Sequence, residues 1–348
     1  MEVFAVVRVL IVFALSFIVA LLITPPVVRF LEKFNFRKNN IRDGTSAPVF
    51  YQFHKNKSNT PTMGGIIIWA TVLGLALIFF VFNNLFDGFS EYFNFVNRSE
   101  TYLPIAALFL AATVGLVDDV LGILKIGPHG GGLTIKRKLL LYAGVAALGA
   151  WWFYFRLDWH TLFIPFIGTV DIGWWYIPFY IFIIVATAFS ANETDGLDGL
   201  LGGVMFFAFA AIAVVAFVLH RYDLAVMTGS ILGALLAFLW FNIYPAKFFM
   251  GDTGSMSLGI TLGVMAMLTN TPVLLPFFGF ILVIESASVI IQTISKKIRR
   301  KKIFHSTPIH HHFEALGWPE SQITMRFWIV SAMMTILGLV LFFLARFA

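Results

Sequence analysis

Four short polar segments interrupt a chain of 348 residues that is otherwise strongly apolar. They are Asp118-Asp119 and the runs 192–199, 249–255 and 308–314. Carboxylates hold Mg²⁺ together with phosphate oxygens and water, and glycine-flanked backbone that opens a helix can meet a phosphate. With scattered lysines, these groups suit phosphoryl transfer, in which positioning and charge neutralisation dominate.

Two of the acidic segments have both a functional and a structural interpretation. Asp118 and Asp119 are adjacent carboxylates, which repel each other unless a cation lies between them; the alternative is a solvated acidic pair at a helix end. Asn192, Asp195 and Asp198 are spaced by three, so they share one face if this segment is helical. Their alternative is a polar turn with side-chain caps.

The other two segments also leave alternatives open. Asp252 is flanked by glycines at the expected start of a helix, where it could hold Mg²⁺ or cap the helix. His310, His311 and His312 favour hydrogen bonding to a polar or phosphorylated substrate, although a solvated surface run is the plain alternative. Zinc is disfavoured, because three consecutive histidines cannot easily ligate one ion and no thiol is present.

The composition places the chain in a membrane. Hydrophobic residues make up 59%, charged residues 12%, and the mean hydropathy is +0.88. A soluble domain carries about 25% charged residues, so water is a poor solvent for this surface. Cysteine is absent, which excludes disulfides and thiol nucleophiles. We expect residues 1–24 to be a retained first span rather than a signal peptide.

Apolar runs long enough to cross a bilayer recur along the whole chain. We predict an all-α, polytopic membrane protein with about ten transmembrane helices and a single membrane domain over 1–348. The eighth helix is short. The predicted segments are 3–26, 63–86, 102–118, 139–155, 174–190, 200–219, 224–241, 255–270, 273–294 and 324–346.

Charge distribution orients these helices. With both termini outside, 19 of the 24 Lys and Arg residues fall at the inner ends and 5 at the outer ends, as the positive-inside rule requires. All four polar segments then lie on the inner side, so we expect them to meet in one site. On the outer side, the aromatic segment 156–175 predicts an interfacial belt, with a small hairpin or a plain loop over Phe163 to Ile172.

One acidic residue falls inside an apolar segment. Glu285 lies in the ninth predicted span, where an acid is costly and usually pairs with a neighbouring helix or lines a groove. We expect no catalytic role for it.

The motifs together resemble the phospho-N-acetylmuramoyl-pentapeptide transferase family, within the polyprenyl-phosphate N-acetylhexosamine-1-phosphate transferases. The resemblance extends from about His54 to Trp328. The histidine run distinguishes the family from sister transferases that use other UDP-sugars. Three places in the chain differ from the residues that are usual in the family. They are Glu193, where Leu is usual, Asn59, and the pair Leu116-Val117. The motifs are TPTMGG (60–65), VDD (117–119), TDGLDG (194–199), FNIYPA (241–246), FMGDTGS (249–255) and PIHHHFE (308–314).

The resemblance implies an activity in peptidoglycan synthesis. Such an enzyme moves phospho-MurNAc-pentapeptide from its UDP carrier to undecaprenyl phosphate with Mg²⁺, giving lipid I and UMP. It implies ten transmembrane helices in the bacterial inner membrane, contact with membrane lipid, a cytoplasmic cleft and, often, a homodimer. No nucleic-acid partner is expected.

The resemblance also implies roles for individual residues. Asp252 would ligate Mg²⁺, while Asp118 and Asp119 would serve the lipid phosphate and the metal region. Asp198, Lys57 and Phe249 would hold the uridine end, with Asn192, Asn242 and Asp195 lining the site. His310, His311 and His312 would meet the sugar-phosphate part. Lys125 and Lys138 would pair with phosphate.

Other functions predict different patterns. A transporter should show inverted repeats and a midplane site, whereas these polar segments lie at helix ends. A sister transferase acting on UDP-GlcNAc is the nearer alternative. For the chemistry, direct attack by the lipid phosphate and a covalent aspartyl-phosphate route both stay open.

Overall fold

A computed structural model describes residues 2–37, 60–85, 92–96, 99–128 and 131–347, so Lys57 lies outside the described residues. Each of the ten predicted segments contains a helix. The helices are α1 (Glu2–Lys33), α2 (Ile66–Leu85), α3 (Ser99–Ile123), α4 (Ile135–Trp151), α5 (Tyr176–Thr194), α6 (Leu200–Val218), α7 (Tyr222–Asn242), α8 (Gly251–Leu268), α9 (Leu275–Phe278), α10 (Phe280–Arg299), α11 (Ile309–Ala315) and α12 (Glu320–Phe347).

Membrane spans account for most of this helical structure. Within the described ranges, eight helices are long and apolar enough to cross a membrane. A ninth span results if Pro272–Phe278 and Phe280–Arg299, which meet at an angle of 89°, count as one. Hydrocarbon offers no partners for backbone N–H and C=O groups, so apolar chain of this length becomes helical. The protein is therefore an all-α, multi-pass membrane protein, as predicted.

Helix α8, in the eighth predicted segment, is not among the eight helices that are long and apolar enough to cross a membrane. All of its residues are buried, and it packs against α3, α5 and α6. Because α8 touches protein on every side rather than lipid, it does not need the hydropathy of a lipid-facing span. Its small residues allow close packing, so the weak hydropathy signal reflects a central position in the bundle.

A hairpin covers part of the opposite end of the bundle. Strand β1 (Thr161–Ile164) pairs antiparallel with β2 (Gly168–Asp171), with Thr161 opposite Asp171. The Asn270 side chain accepts a hydrogen bond from the Phe163 N–H at 3.0 Å, which ties the hairpin to the end of α8. Of the two alternatives for this segment, the structure has the hairpin rather than the plain loop, and the hairpin begins at Thr161, two residues before Phe163.

The entry to α2 gives a stability prediction with a matched control. A Cβ placed on Gly65 would lie 2.2 Å from the Gly254 Cα, whereas a Cβ on Gly74 of α2 meets nothing within 4 Å. We expect Gly65→Ala to destabilise the protein by about 1–3 kcal/mol or more, because backbone cannot yield there. Gly74→Ala should stabilise it by about 0.5–1 kcal/mol. Thermal unfolding of both variants in detergent checks this, and equal shifts would contradict the close α2–α8 contact.

Candidate active site

A lysine joins two buried carboxylates at one end of the bundle. The Lys138 Nζ, in the first turn of α4, lies 2.7 Å from Asp118 Oδ2 and 2.9 Å from Asp252 Oδ1. Asp118 comes from the last turns of α3 and Asp252 from the first turn of α8. A Cβ at Gly115 would lie 2.4 Å from the Asp252 carbonyl oxygen, so the missing side chain lets α3 and α8 approach closely. We call Lys138, Asp118 and Asp252 the central cluster.

Helix α5 adds an amide to the central cluster. The Asn192 Nδ2 donates to Asp252 Oδ1 at 2.5 Å and to Ser255 Oγ at 3.2 Å. Ser255 was not identified from the sequence, although its position three residues after Asp252 places both on one side of α8. Asp252 therefore receives two donors, from α4 and from α5, and it lies inside the helix rather than at its N-cap, which is Met250. The capping interpretation of Asp252 was wrong.

Two further carboxylates bind the backbone that opens α8. Asp119 Oδ2 accepts from the Thr253 N–H at 3.0 Å, and Asp195 Oδ2 accepts from the Gly251 N–H at 3.2 Å. These carboxylates take the N–H groups that the sequence suggested for phosphate binding. The protein's own carboxylates thus fix the start of α8. A negatively charged substrate would therefore pair with Lys138 rather than with these N–H groups.

Asp118 is held through both of its oxygens. Its Oδ1 accepts from the Leu133 N–H at 2.5 Å, while its Oδ2 faces Lys138. Leu133 was not identified from the sequence, because a backbone donor gives no side-chain signal. The loop between α3 and α4 therefore folds back over Asp118 and orients it.

The turn after α5 differs from the predicted helical face. Helix α5 ends at Thr194, and Gly199 has a left-handed backbone, with φ of +74°. Asn192 and Asp195 face the start of α8, whereas Asp198 Oδ2 accepts from the Ala246 N–H at 3.0 Å. The prediction of one shared helical face was wrong, because the glycines of this segment end the helix.

Asn242 and Phe249 lie beside this turn. The Asn242 Oδ1 accepts from the Gly199 N–H at 3.1 Å, and its Nδ2 donates to the Phe248 carbonyl at 2.7 Å. The Phe249 ring is half-buried, and the Phe249 N–H donates to the Pro61 carbonyl at 2.8 Å. The TPTMGG and FMGDTGS motifs therefore pair through backbone, and Asn242 braces the turn. Lys125 lies in the exposed loop after α3.

The three histidines point to different partners. His310 is fully buried, with its Nδ1 3.0 Å from Glu285 Oε2. The Nδ1 of His311 lies 2.6 Å from Glu314 Oε2. The His312 Nδ1 accepts from the His305 N–H at 3.2 Å. Since His310 and His311 are buried, the solvated-run interpretation was wrong for them. The contact of all three rings with the sugar-phosphate stays a prediction.

The surroundings of His310 and His312 shift the pKa values of the two rings in opposite directions. Burial lowers the pKa of His310, but the neighbouring carboxylates, Glu285 foremost, outweigh burial and raise that pKa above its ordinary value. Burial and the nearby His305 lower the pKa of His312. The sequence alone could not distinguish these two rings, because their partners come from elsewhere in the chain.

Comparison with known proteins places this site in a family. A model described as glycosyl transferase family 4 matches residues 102–270, and a phospho-N-acetylmuramoyl-pentapeptide-transferase signature matches 57–68. Proteins of that name from Listeria innocua and Anoxybacillus flavithermus are 37% identical over 318 residues and 35% identical over 328 residues. The alignments cover 91% and 93% of this chain, and 92% and 95% of those relatives. The chain belongs to the phospho-N-acetylmuramoyl-pentapeptide transferase family.

Membership of this transferase family agrees with the geometry. The glycosyl transferase family 4 match includes the whole central cluster and Asn192. A phospho-N-acetylmuramoyl-pentapeptide transferase from Clostridium novyi is also 37% identical over 326 residues, which are 93% of each chain. The protein is therefore an enzyme of the transferase class, and the transporter alternative is not favoured.

Proposed function

We propose that this enzyme transfers phospho-MurNAc-pentapeptide from UDP-MurNAc-pentapeptide to undecaprenyl phosphate, giving lipid I and UMP. The observation that carries the proposal is the ammonium group of Lys138 between two buried carboxylates, and the next residue, Leu139, lines an apolar groove. We further propose that this end of the bundle faces the cytoplasm of a bacterium, since most Lys and Arg residues lie there.

The central cluster fits Mg²⁺ by its donor chemistry. Mg²⁺ takes one or two carboxylates and completes its shell with phosphate oxygens and water. Asp252 and Asp118 supply two buried carboxylates on either side of a cation. In the described part of the chain no group of three or more His, Asp and Glu could hold a metal by itself, so substrate oxygens would have to complete the set. Bound Mg²⁺ would supply charge neutralisation for the diphosphate.

The apolar groove supplies a place for the lipid chain. A cavity of about 810 Å³ lies between α5, α8 and α10, beside the bend at Gly279, and its walls are almost wholly apolar. Leu139 and Ser190 line it. In the chain, Leu139 follows Lys138, and Ser190 lies two residues before Asn192. A polyprenyl tail in this groove would carry its phosphate to the central cluster without leaving the membrane.

The residues favour direct transfer. An oxygen of the lipid phosphate would attack the β-phosphorus, the bond from that phosphorus to the oxygen of the α-phosphate would break, and UMP would leave with the electron pair. The second pKa of a phosphate monoester is about 6, so the acceptor is largely ionised at neutral pH and needs no strong base. Both Asp118 oxygens are engaged by donors, which suits orientation of the acceptor better than nucleophilic attack by Asp118 itself.

The assignments by resemblance stay proposals. We propose that Asp198, Lys57 and Phe249 hold the uridine end, and that Asp119 and Asp195 act by fixing the start of α8. The single domain over 1–348 and a homodimer stay predictions.

Release of UMP tests the function directly. The purified protein should release UMP from UDP-MurNAc-pentapeptide only when polyprenyl phosphate and Mg²⁺ are both added. UDP-GlcNAc in place of that donor should give little product, and the reverse preference would favour the sister transferase. Rapid-quench trapping of a phosphorylated enzyme without lipid acceptor would refute direct attack.

Filling the groove tests the lipid site. Ala287 lines the groove, so we expect Ala287→Trp to raise KM for polyprenyl phosphate about tenfold or more, since about 1.4 kcal/mol of lost binding suffices. KM for the UDP-sugar should stay nearly unchanged. Ile329→Trp is the control, because Ile329 on α12 is 65% exposed outside the groove. Steady-state kinetics in detergent micelles measures both, and equal effects of the two variants would contradict the groove assignment.

A further inference from the structure

Glu285 is a fully buried acid in the middle of α10. A buried carboxylate is costly unless it is paired and hydrogen-bonded. Its Oε2 lies 3.0 Å from His310 Nδ1 and 3.5 Å from the His310 backbone nitrogen, which donates to it. One carboxylate oxygen thus fixes both the ring and the backbone of the first histidine in the His310–His312 run.

The other edge of the His310 ring meets the turn after α5. A Cβ built on Gly196 would lie 2.2 Å from His310 Nε2 and 2.7 Å from Cε1, so the imidazole lies directly on the Gly196 backbone. The preceding residue, Asp195, binds the Gly251 N–H at 3.2 Å. A continuous set of contacts therefore joins Glu285, through His310 and this turn, to the residue before Asp252.

The surroundings of His310 favour its protonated form. Glu285 faces it from α10, Glu314 from its own helix α11, and Glu193 from the end of α5. The His311 ring lies on it with centroids 4.1 Å apart. Burial works against a charged imidazole, but the three carboxylates outweigh burial and raise its pKa. Glu285 is the largest of these contributions, so its removal should reverse the balance.

We infer that Glu285 is a positioning residue of the transferase site: its carboxylate keeps a proton on His310 Nδ1 and presses the ring against the turn that presents Asp195. This inference rests on the proposed function for its catalytic consequence, although its structural part does not. Glu285 has no hydrogen bond to the central cluster, and it acts only through His310. A ring held by a carboxylate in one tautomer and orientation is a recurring device in sites that depend on histidine.

The structural part is tested by ¹⁵N NMR of the full-length protein labelled at histidine, with His310→Gln used to assign the His310 signals. In the unaltered protein we expect His310 to carry its proton on Nδ1, and we expect both nitrogens to stay protonated to a higher pH than in the variant. In Glu285→Gln, which keeps the size of the side chain but removes the charge, the ring should become neutral at a lower pH. A His310 that carries its proton on Nε2 alone in the unaltered protein, or an identical pH dependence of the His310 signals in both proteins, would overturn the inference, whatever the enzyme assay gives.

The catalytic part is tested by the pH dependence of UMP release. In Glu285→Gln, this carboxylate no longer opposes the lowering of the His310 pKa by burial. His310 should therefore lose its proton at a lower pH than in the unaltered protein. The variant should lose about 10–100-fold in kcat at pH 8, recover as the pH falls toward 6, and keep its KM for the UDP-sugar. Glu285→Asp keeps the charge and should retain the original profile shape. A purely structural role predicts an equal loss at every pH, which would overturn the inference.

Asp223→Asn is the matched control. It makes the same acid-to-amide change at the opposite end of the bundle, where Asp223 pairs with Arg8 at 2.7 Å, and it should leave the pH profile unchanged. An inactive unaltered enzyme would refute the proposed function, while the NMR result would still decide the role of Glu285. An active enzyme whose Glu285→Gln variant keeps the original profile would refute only the role of Glu285.

Discussion

Asp252→Asn is expected to lower the rate of UMP release by about 100- to 1,000-fold, the usual cost of removing one group that stabilises developing charge. Asparagine has nearly the size of aspartate, so the first turn of α8 should persist. The amide, however, has no negative charge to set against Lys138 or a bound cation. Lys138 can still pair with Asp118 at 2.7 Å, which is why the variant should stay folded. Initial rates at saturating substrates measure the effect.

The dependence on Mg²⁺ distinguishes a metal role from a general electrostatic one. If Asp252 ligates Mg²⁺, the variant should also need a higher Mg²⁺ concentration for half of its remaining rate. Asp223→Asn, at the far end of the bundle, should keep both the rate and the Mg²⁺ requirement. Unchanged activity of Asp252→Asn would refute the assignment of Asp252 to the site.

Lys138→Met should destabilise the protein and abolish most of its activity. Methionine keeps most of the length of the side chain but leaves Asp118 and Asp252 as two buried carboxylates without their shared cation. Removing one partner of a buried ion pair costs about 3–5 kcal/mol, so a clear fall in Tm is expected in metal-free buffer. The activity should fall as well, because Lys138 is the cation nearest to where we place the phosphates.

Added Mg²⁺ gives this second prediction a signature of its own. A divalent cation that binds only the folded state raises its stability by mass action. Mg²⁺ should therefore raise the Tm of Lys138→Met more than that of the unaltered protein, in which Lys138 already offsets part of the charge of the two acids. The control is Lys136→Met, an exposed lysine in the same turn of α4, which should change Tm little. If Mg²⁺ has no effect on either Tm, the central cluster is not a cation site.

The amino-acid sequence by itself determined the helices and their approximate bounds, and it predicts that the polar segments lie together on the inner side of the membrane. The physical reason is that a bilayer leaves few options: apolar chain of sufficient length must satisfy its own backbone as helix, and Lys and Arg residues stay on the inner side. The sequence alone predicts that Asp118 and Asp252 lie at one end of the bundle. It does not predict that Lys138 lies between them.

Only the tertiary structure decided which side chains meet, because the partners are far apart in the chain and packing selects among them. Lys138 and Asp252 are 114 residues apart, and no local pattern links them. The turn after α5 leaves helical geometry at its glycines, so Asp198 separates from Asn192 despite their spacing. Glu285 shows the same limit: in the sequence it is a lone intramembrane acid, and only the packing of α11 against α10 turns it into the partner of His310.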